Sequence, residues 1–167
     1  MLMRSAFRLL YAALTLSLVG CSMGSLLIHE QRSPYDFDTT LTTVVANANA
    51  RGWQVPKTFD FQASLLAHGQ PDPGRMTVVK LCSPTHASRM FASDGTKYVS
   101  VMAPCSIAVY EKSDGKTYVS TMNMGLMAHL MGNEVGPVLA DIARDDAAIV
   151  AFAGESPSAR EEPLAAQ

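Results

Sequence analysis

The chain has 167 residues, which is enough for one compact domain with short appendages but not for two domains of usual size. Hydrophobic residues make up 48% of the chain and charged residues 17%, a balance that supports a buried core and excludes a wholly disordered protein. Thirteen Lys and Arg stand against fifteen Asp and Glu, and no basic run occurs. A nucleic-acid-binding surface is therefore not expected, because it needs clustered positive charge.

The first twenty residues are predicted to be a signal peptide. Arg4 and Arg8 precede an apolar stretch over residues 9–19. As a helix this stretch would rise about 16 Å, which falls short of the roughly 30 Å hydrocarbon core of a bilayer. A cationic start followed by a short apolar stretch that ends in a small residue is typical of secretory signals rather than of transmembrane helices.

The residues that end this segment resemble the bacterial lipoprotein box. Residues 18–21 read LVGC, and the resemblance implies cleavage before Cys21, which then carries a diacylglycerol thioether and usually a third acyl chain such as palmitate. Two or more acyl chains anchor a protein stably. Because Ser22 rather than Asp follows the cysteine, the resemblance implies the outer membrane of the bacterial cell envelope, facing the periplasm, with residues 21–26 as a lipidated tether. Ordinary cleavage near Gly20, which would release a soluble periplasmic protein, is the alternative.

Hydrophobic periodicity and turn residues predict the elements of the remaining chain. In the first half of the chain they are a strand over 27–31, a helix capped by Asp36 or Asp38 and ending at Asn49, an extended segment over 53–61 with an edge position or a bend at Pro56, a helical turn over 63–68 and a strand over 76–81. A helix over 84–91, β-rich runs over 97–102 and 106–111, a hairpin turn over 113–116, a strand over 117–122 and a helix from Asn123 follow. A last helix carries an apolar stripe (Val135, Val138, Leu139, Ile142), and Asp145-Asp146 is expected to end or restart it.

This order of elements predicts an α+β fold. Strands and helices are segregated along the chain, which favours an antiparallel sheet with helices packed on one face. The predicted domain covers residues 27–153. Residues 154–167, which contain Pro, Ser and Glu, are expected to be a disordered tail.

Several short motifs resemble the DUF302 domain family. They are residues 35–37 (YDF), 52–53 (GW), 59–62 (FDFQ), 81–84 (LCSP), 102–111 (MAPCSIAVYE), 114–116 (DGK) and 122–127 (MNMGLM). The resemblance implies a TBP-like β-α-β-sheet-α fold and a homodimer, and it implies no activity. Relatives usually read Cys-Asn-Pro and Pro-Cys-Asn, whereas this chain has Ser83 and Ser106 at the positions of the amides.

Cys82 and Cys105 are the only thiols that remain if Cys21 is acylated. Cys82 closes one predicted strand and Cys105 opens a later one, so an antiparallel sheet could bring them together. Three interpretations stay open: a disulfide suited to an oxidising periplasm, two buried inert thiols, and a reactive or metal-binding pair in a pocket.

A soft-metal site is one form of the third interpretation. His86 follows Cys82 by four residues, a spacing that places both on one face of a helix. Together with Cys105, and with Met90 or Met102 nearby, they would form a donor set suited to copper or zinc. A packed or solvent-facing His86 is the alternative.

Methionines recur at helical spacing in the predicted helix that starts at Asn123. Met124, Met127 and Met131 fall on one face, whereas His129 lies on another side and cannot join them from the same helix. Such a stripe predicts core or a dimer contact. A small apolar ligand and cuprous copper are the alternatives.

Common enzyme signatures for nucleotide and zinc-protease sites (GxGxxG, GxxxxGK[ST], HExxH) do not occur. Asp60, inside an apolar strand segment, is expected to be an edge-strand residue rather than a catalytic group. The sequence thus favours non-catalytic binding of a small ligand or a partner near Cys82 and Cys105. Thiol redox or copper handling by these cysteines with His86 and methionines is the alternative, and an assembly module that exposes its methionine-lined helix is the third.

Overall fold

The structure, a computed structural model, describes residues 23–154. The predicted signal peptide, Cys21 and residues 155–167 lie outside these residues. The elements in chain order are α1 (Met23–Leu27), β1 (Ile28–Arg32), α2 (Phe37–Ala50), β2 (Gln54–Asp60), α3 (Phe61–Ala67), β3 (Met76–Cys82), α4 (Pro84–Met90), a 3-10 helix (Lys97–Met102), β4 (Cys105–Glu111), β5 (Thr117–Met122), α5 (Met124–Leu130) and α6 (Gly132–Ile149). Among the described residues no helix has the length and hydrophobicity to span a bilayer.

The five strands form one antiparallel sheet in the order β1-β5-β4-β3-β2. The predicted hairpin turn joins β4 to β5, and Gly115 takes a φ of 69° there, which a residue with a Cβ would disfavour. Pro56 lies in β2, an edge strand as predicted, where its missing N–H is tolerated. The predicted α+β architecture is confirmed.

Helices cover one face of this sheet. Along β3 and β4 every second side chain is buried, as the two-residue period of a strand requires, and Val79, Leu81 and Ile107 are completely enclosed. Helix α2 adds Val44 and Ala48 to the same core. Helix α6 adds all four residues of its predicted apolar stripe, so that stripe is confirmed as core.

Residues 97–102 form a 3-10 helix, so the prediction of a β-rich run there is wrong. A half-buried strand would bury every second side chain. Here only Val99 is buried, whereas Tyr98 and Val101 are 65% and 89% exposed. The β propensity of Tyr and Val depends on packing against a neighbouring strand, and this segment, which lies between α4 and β4, pairs with none.

Helix α6 continues through Asp145 and Asp146, so the predicted end or restart at this pair is wrong. Asp146 follows Ile142 by four residues, and this spacing places it on the core face of the helix, where it is only 6% exposed. Asp145 lies on another side of the helix and is hydrogen-bonded to Trp53. The helix continues through both acids because their side chains lie on different sides of it, Asp146 in the core and Asp145 beside Trp53.

Helices α5 and α6 approach each other closely at Gly136, where an added Cβ would lie 2.5 Å from the carbonyl oxygen of Ala128. Gly136→Ala is expected to lower the free energy of unfolding by about 1–3 kcal/mol, because a backbone oxygen cannot rotate away from the new methyl group. Gly24→Ala is the matched control, since an added Cβ there meets no atom within 4 Å. Denaturant unfolding measures both variants, and wild-type stability of Gly136→Ala would contradict the expectation.

Candidate functional site

One cavity is lined by all the residues that the sequence indicated as a thiol pair with possible metal donors: Cys82, His86, Met90, Met102 and Cys105. It lies where β3, α4 and the start of β4 meet, and Trp53 also lines it. Its volume is about 30 Å³. Such a space holds a water molecule or two, or a single ion, and is far smaller than an ordinary site for an organic ligand.

The two cysteines do not face each other directly across the sheet. The register of β3 and β4 places Cys105 opposite Leu81, and Cys82 lies one residue farther along its strand. Because adjacent strand residues point to opposite faces, this register does not favour a directly facing cross-strand pair. Both side chains are half-buried free thiols. The disulfide and the paired-thiol site therefore remain predictions.

Burial keeps the Cys105 thiol protonated. It raises the pKa of Cys105 to about 12, and the nearby charges of Asp146 and Cys82 act in the same direction. The thiolate, not the thiol, is the nucleophile and the metal ligand. Cys105 is therefore poorly suited to thiol exchange at neutral pH unless a ligand stabilises its anion.

A network of hydrogen bonds orients His86 at the wall of this cavity. Its Nε2 lies 2.9 Å from Oδ2 of Asp145, and the indole N–H of Trp53 donates to the same oxygen at 3.0 Å. Burial alone would raise the pKa of Asp145, but these two hydrogen bonds and the nearby guanidinium of Arg51 lower it below its usual value. Because an ionised carboxylate only accepts hydrogen bonds, Nε2 of His86 carries the proton.

The other ring nitrogen of His86 has no hydrogen-bond partner among the described residues, although it is buried. In a neutral imidazole that is protonated on Nε2, Nδ1 is an acceptor with a lone pair. A buried acceptor without a partner costs free energy, which a bound hydrogen-bond donor or Lewis acid would recover. The sequence indicated His86 but not Asp145, because the two residues lie 59 positions apart and no local pattern connects them.

The same residues do not form a conventional zinc site. Between residues 23 and 154, no three or more His, Cys, Asp or Glu side chains are placed so that they could hold a metal ion. Cys82, His86 and Cys105 thus line one cavity without converging as three zinc ligands do. Met90 and Met102 add thioether sulfurs to the wall, which are ligands for cuprous copper rather than for zinc.

The methionines of α5 and its C-cap residue Met131 belong to the core, as predicted. Met124 is 4% exposed, and Met127 and Met131 are half-buried against the core cluster. His129 is exposed on another side of the helix, where its Nδ1 lies 2.7 Å from the carbonyl oxygen of Gly125. This packing does not favour an exposed methionine-lined helix as a docking surface.

Asp60 has a structural role, in line with the expectation for this residue. Its exposed carboxylate accepts a hydrogen bond from the backbone N–H of Ala63 and so caps α3. A side chain in this position satisfies a backbone donor that the helix itself cannot pair.

A second and larger cavity, of about 280 Å³, shares Met124 with the first and lies between the β1–β5 side of the sheet and α6. Its polar lining residues are His29, Gln31, Thr121, Asn123 and Asp146. Oδ1 of Asp146 is buried and has no hydrogen-bond partner among the described residues. The spacing from Ile142 indicates that Asp146 is buried, but no sequence pattern connects it with His29, which comes from the opposite end of the domain.

Asp146 is held towards its neutral form. Burial raises its pKa to about 7, and the negative charge of Asp145 adds to the shift. Asp145 and Asp146 are therefore neighbours in sequence whose pKa values move in opposite directions. Opposite shifts in adjacent acids mark places where the surroundings, not the residue type, decide the protonation state.

The fold and these buried polar groups define a class of small α+β domain, in which a five-stranded antiparallel sheet and its helical layer enclose ionisable side chains between them. The chain belongs to the DUF302 family, a domain of unknown function, whose family model matches residues 29–152.

Comparison with solved structures supports the fold, and comparison with curated proteins indicates no activity. The crystal structure of an uncharacterized conserved DUF302 protein from Bacillus stearothermophilus is similar, with a TM-score of 0.68 and 19% sequence identity. The match covers 76% of this chain and 98% of that protein. At this identity the likeness shows the fold alone. No curated protein matches the chain in sequence.

Stability is expected to fall as pH rises through the titration of Asp146. The folded-state pKa of about 7 lies above the ordinary value of 3.8. The stabilisation of the neutral carboxyl is therefore fully present below about pH 4, and up to about 4 kcal/mol of it is lost by pH 9. Asp146→Asn, which stays neutral, should abolish this loss, whereas Asp141→Asn on the surface of the same helix should keep it. Urea unfolding across pH 4 to 9 measures the difference, and a wild-type profile that coincides with that of Asp146→Asn would refute the expectation.

Proposed function

We propose that this protein is a non-catalytic binding module of the bacterial envelope, which holds a small ligand in the cavity lined by Cys82, His86 and Cys105. The observation that carries the proposal is the buried Nδ1 of His86, which has no hydrogen-bond partner within residues 23–154. A ligand that donates a hydrogen bond to this atom, or accepts its lone pair, would satisfy it. The raised pKa of Cys105 supports binding over nucleophilic chemistry.

The size and lining of the cavity restrict this ligand. A volume of about 30 Å³ accommodates an ion or a molecule of a few atoms. Met90, Met102 and Pro104 make much of the wall apolar, so the thiols and the imidazole are the groups that would recognise the ligand.

Copper handling is the second candidate function, and cuprous copper is the ligand in that case. Thiolate, thioether and imidazole donors are the ones that this soft ion binds. The hydrogen bond between His86 and Asp145 favours this candidate, because a histidine that binds a metal almost always donates its other ring N–H to a carboxylate or a similar acceptor. Copper binding would also displace the proton that burial keeps on Cys105.

Anaerobic titration of the full-length protein in detergent, with Cu(I) held by a chromophoric chelator, tests the copper candidate. The wild type is expected to withdraw one equivalent of Cu(I). Cys82→Ser, Cys105→Ser and His86→Gln should each weaken binding by at least about tenfold, the loss that altered metal-site residues typically cause. His129→Gln is the matched control, because that histidine is exposed and lies outside the cavity.

Two outcomes decide between the candidates. Copper handling would be rejected if the wild type takes up no Cu(I), or if Cys82→Ser and Cys105→Ser both take up as much Cu(I) as the wild type. Native mass spectrometry of the same preparations then tests the broader proposal, because a bound small molecule should appear in the wild type and disappear in His86→Gln. If the wild type carries no such species and gains none from cell extract, the binding proposal fails as well.

We further propose that Cys21 anchors this module to the outer membrane on its periplasmic side. The LVGC sequence of residues 18–21 and the serine that follows it support this location. Cys21→Ala is expected to abolish incorporation of radiolabelled palmitate and to move the protein from the membrane fraction to the soluble fraction, since acyl chains supply the membrane affinity. Cys82→Ser is the control and should remain labelled; palmitate incorporation that survives in Cys21→Ala would contradict lipidation at this residue.

A homodimer is the third part of what we propose. The face of the sheet that helices leave open carries Ile28, Phe59 and Met122, which are each between 41% and 44% exposed. Pairing of two such faces would remove their apolar surface from water. Sedimentation equilibrium that finds a monomer at every concentration would contradict the dimer.

A further inference from the structure

The larger cavity contains a buried carboxyl group that lacks a counter-charge. Asp146 is 6% exposed, and its Oδ1 has no hydrogen-bond partner among the described residues. The charged group that acts on it is Asp145, which repels a second negative charge, and no cation from residues 23–154 offsets this repulsion. A buried carboxylate is expensive unless a proton or a positively charged partner neutralises it.

The rest of the cavity wall has a polar part and an apolar part. The sheet supplies His29, Gln31 and Thr121, whose nitrogen or oxygen atoms can accept hydrogen bonds. Helix α6 and the residue after it supply aliphatic surface (Ala143, Ala147, Val150). The volume of about 280 Å³ lies close to the lower limit of small-molecule sites. The cavity therefore suits a short ligand with one polar end and one apolar end.

The missing counter-charge decides which ligand fits. A bare metal ion does not fit this cavity, because the described residues provide no group of three His, Cys, Asp or Glu side chains that could hold it. An ammonium group brings one full positive charge and three hydrogen-bond donors. We infer that this cavity binds a small primary amine as its ammonium ion, with Asp146 as the counter-ion and the alkyl part against the aliphatic surface of α6. The inference does not depend on the cysteine cavity.

Binding of an ammonium ion requires the ionised form of Asp146. The titratable groups around this carboxyl are Asp145 on its own helix, Cys105 on β4 and His29 on β1, whereas β5 and α5 line the cavity with residues that do not ionise. Burial raises the pKa of Asp146 to about 7, so the affinity for the cation should fall about tenfold for each pH unit well below that value. A protonated His29 would weaken binding in the same direction, and His29→Gln separates the two effects.

Calorimetric titration of the full-length protein in detergent at pH 8 tests the inference with three probes of equal chain length: butylammonium, butan-1-ol and butanoate. Butylammonium is expected to bind one site, the alcohol at least about tenfold more weakly, and butanoate not measurably. Asp146→Asn should weaken butylammonium binding by at least about thirtyfold, because the ammonium group loses its counter-ion. Asp141→Asn is the matched control and should bind as the wild type does, since Asp141 pairs with Arg89 on the surface of the same helix.

Two further measurements keep the test decisive if one variant folds poorly. Thr121→Val changes no charge and should weaken butylammonium binding by about two- to tenfold through the loss of one hydrogen-bond acceptor. In a His29→Gln background, lowering the pH from 8 to 6 should weaken butylammonium binding by about tenfold, and adding Asp146→Asn should remove this pH dependence. Equal affinity for butylammonium and butan-1-ol, unchanged affinity in folded Asp146→Asn, or no binding of butylammonium to the folded wild type would overturn the inference.

Discussion

Helix α6 must bury one face against the sheet while it carries two acids in succession, and both cavities follow from this constraint. The apolar stripe over residues 135–142 determines the rotation of the helix about its axis, because its side chains fill the core. Successive helical residues are about 100° apart, so Asp145 and Asp146 cannot share one environment. Asp146 is carried into the interior between β1 and α6, whereas Asp145 meets Trp53 and His86 beside α4.

The two cavities are electrostatically connected through these acids. Donors from Trp53 and His86 keep Asp145 ionised, and its charge helps to keep Asp146 neutral. Asp146 in turn contributes to the raised pKa of Cys105, which lines the smaller cavity. A ligand that changes the charge on Asp146 would therefore alter the acidity of a thiol in the neighbouring site. Such coupling is reciprocal, so a ligand that ionises Cys105 would also affect Asp146.

Local patterns were sufficient to predict most of the fold and a part of the candidate site. Strand alternation, the Asp36 cap and the turn at Gly115 are properties of short segments, and the structure bears them out. Cys82 and His86 do line one cavity, but the shared helix face predicted from their spacing is wrong, because Cys82 ends β3 and α4 begins only at Pro84. The segment over 97–102 was mispredicted because its residues favour strands only where a partner strand exists. The partnership of His86 with Asp145 and the cavity beside His29 arise from long-range packing, which one sequence does not reveal.

The position of β1 has a consequence for what the domain can reach. Ile28 stands seven positions after Cys21, and five of the intervening residues are wound into α1, which rises only about 7.5 Å. An acylated Cys21 would then lie about 10–15 Å from the start of β1, a distance shorter than the diameter of a domain of this size. The edge of the sheet would lie beside the lipid headgroups. Ligands would then have to reach this edge of the protein through the thin layer of water next to the bilayer surface.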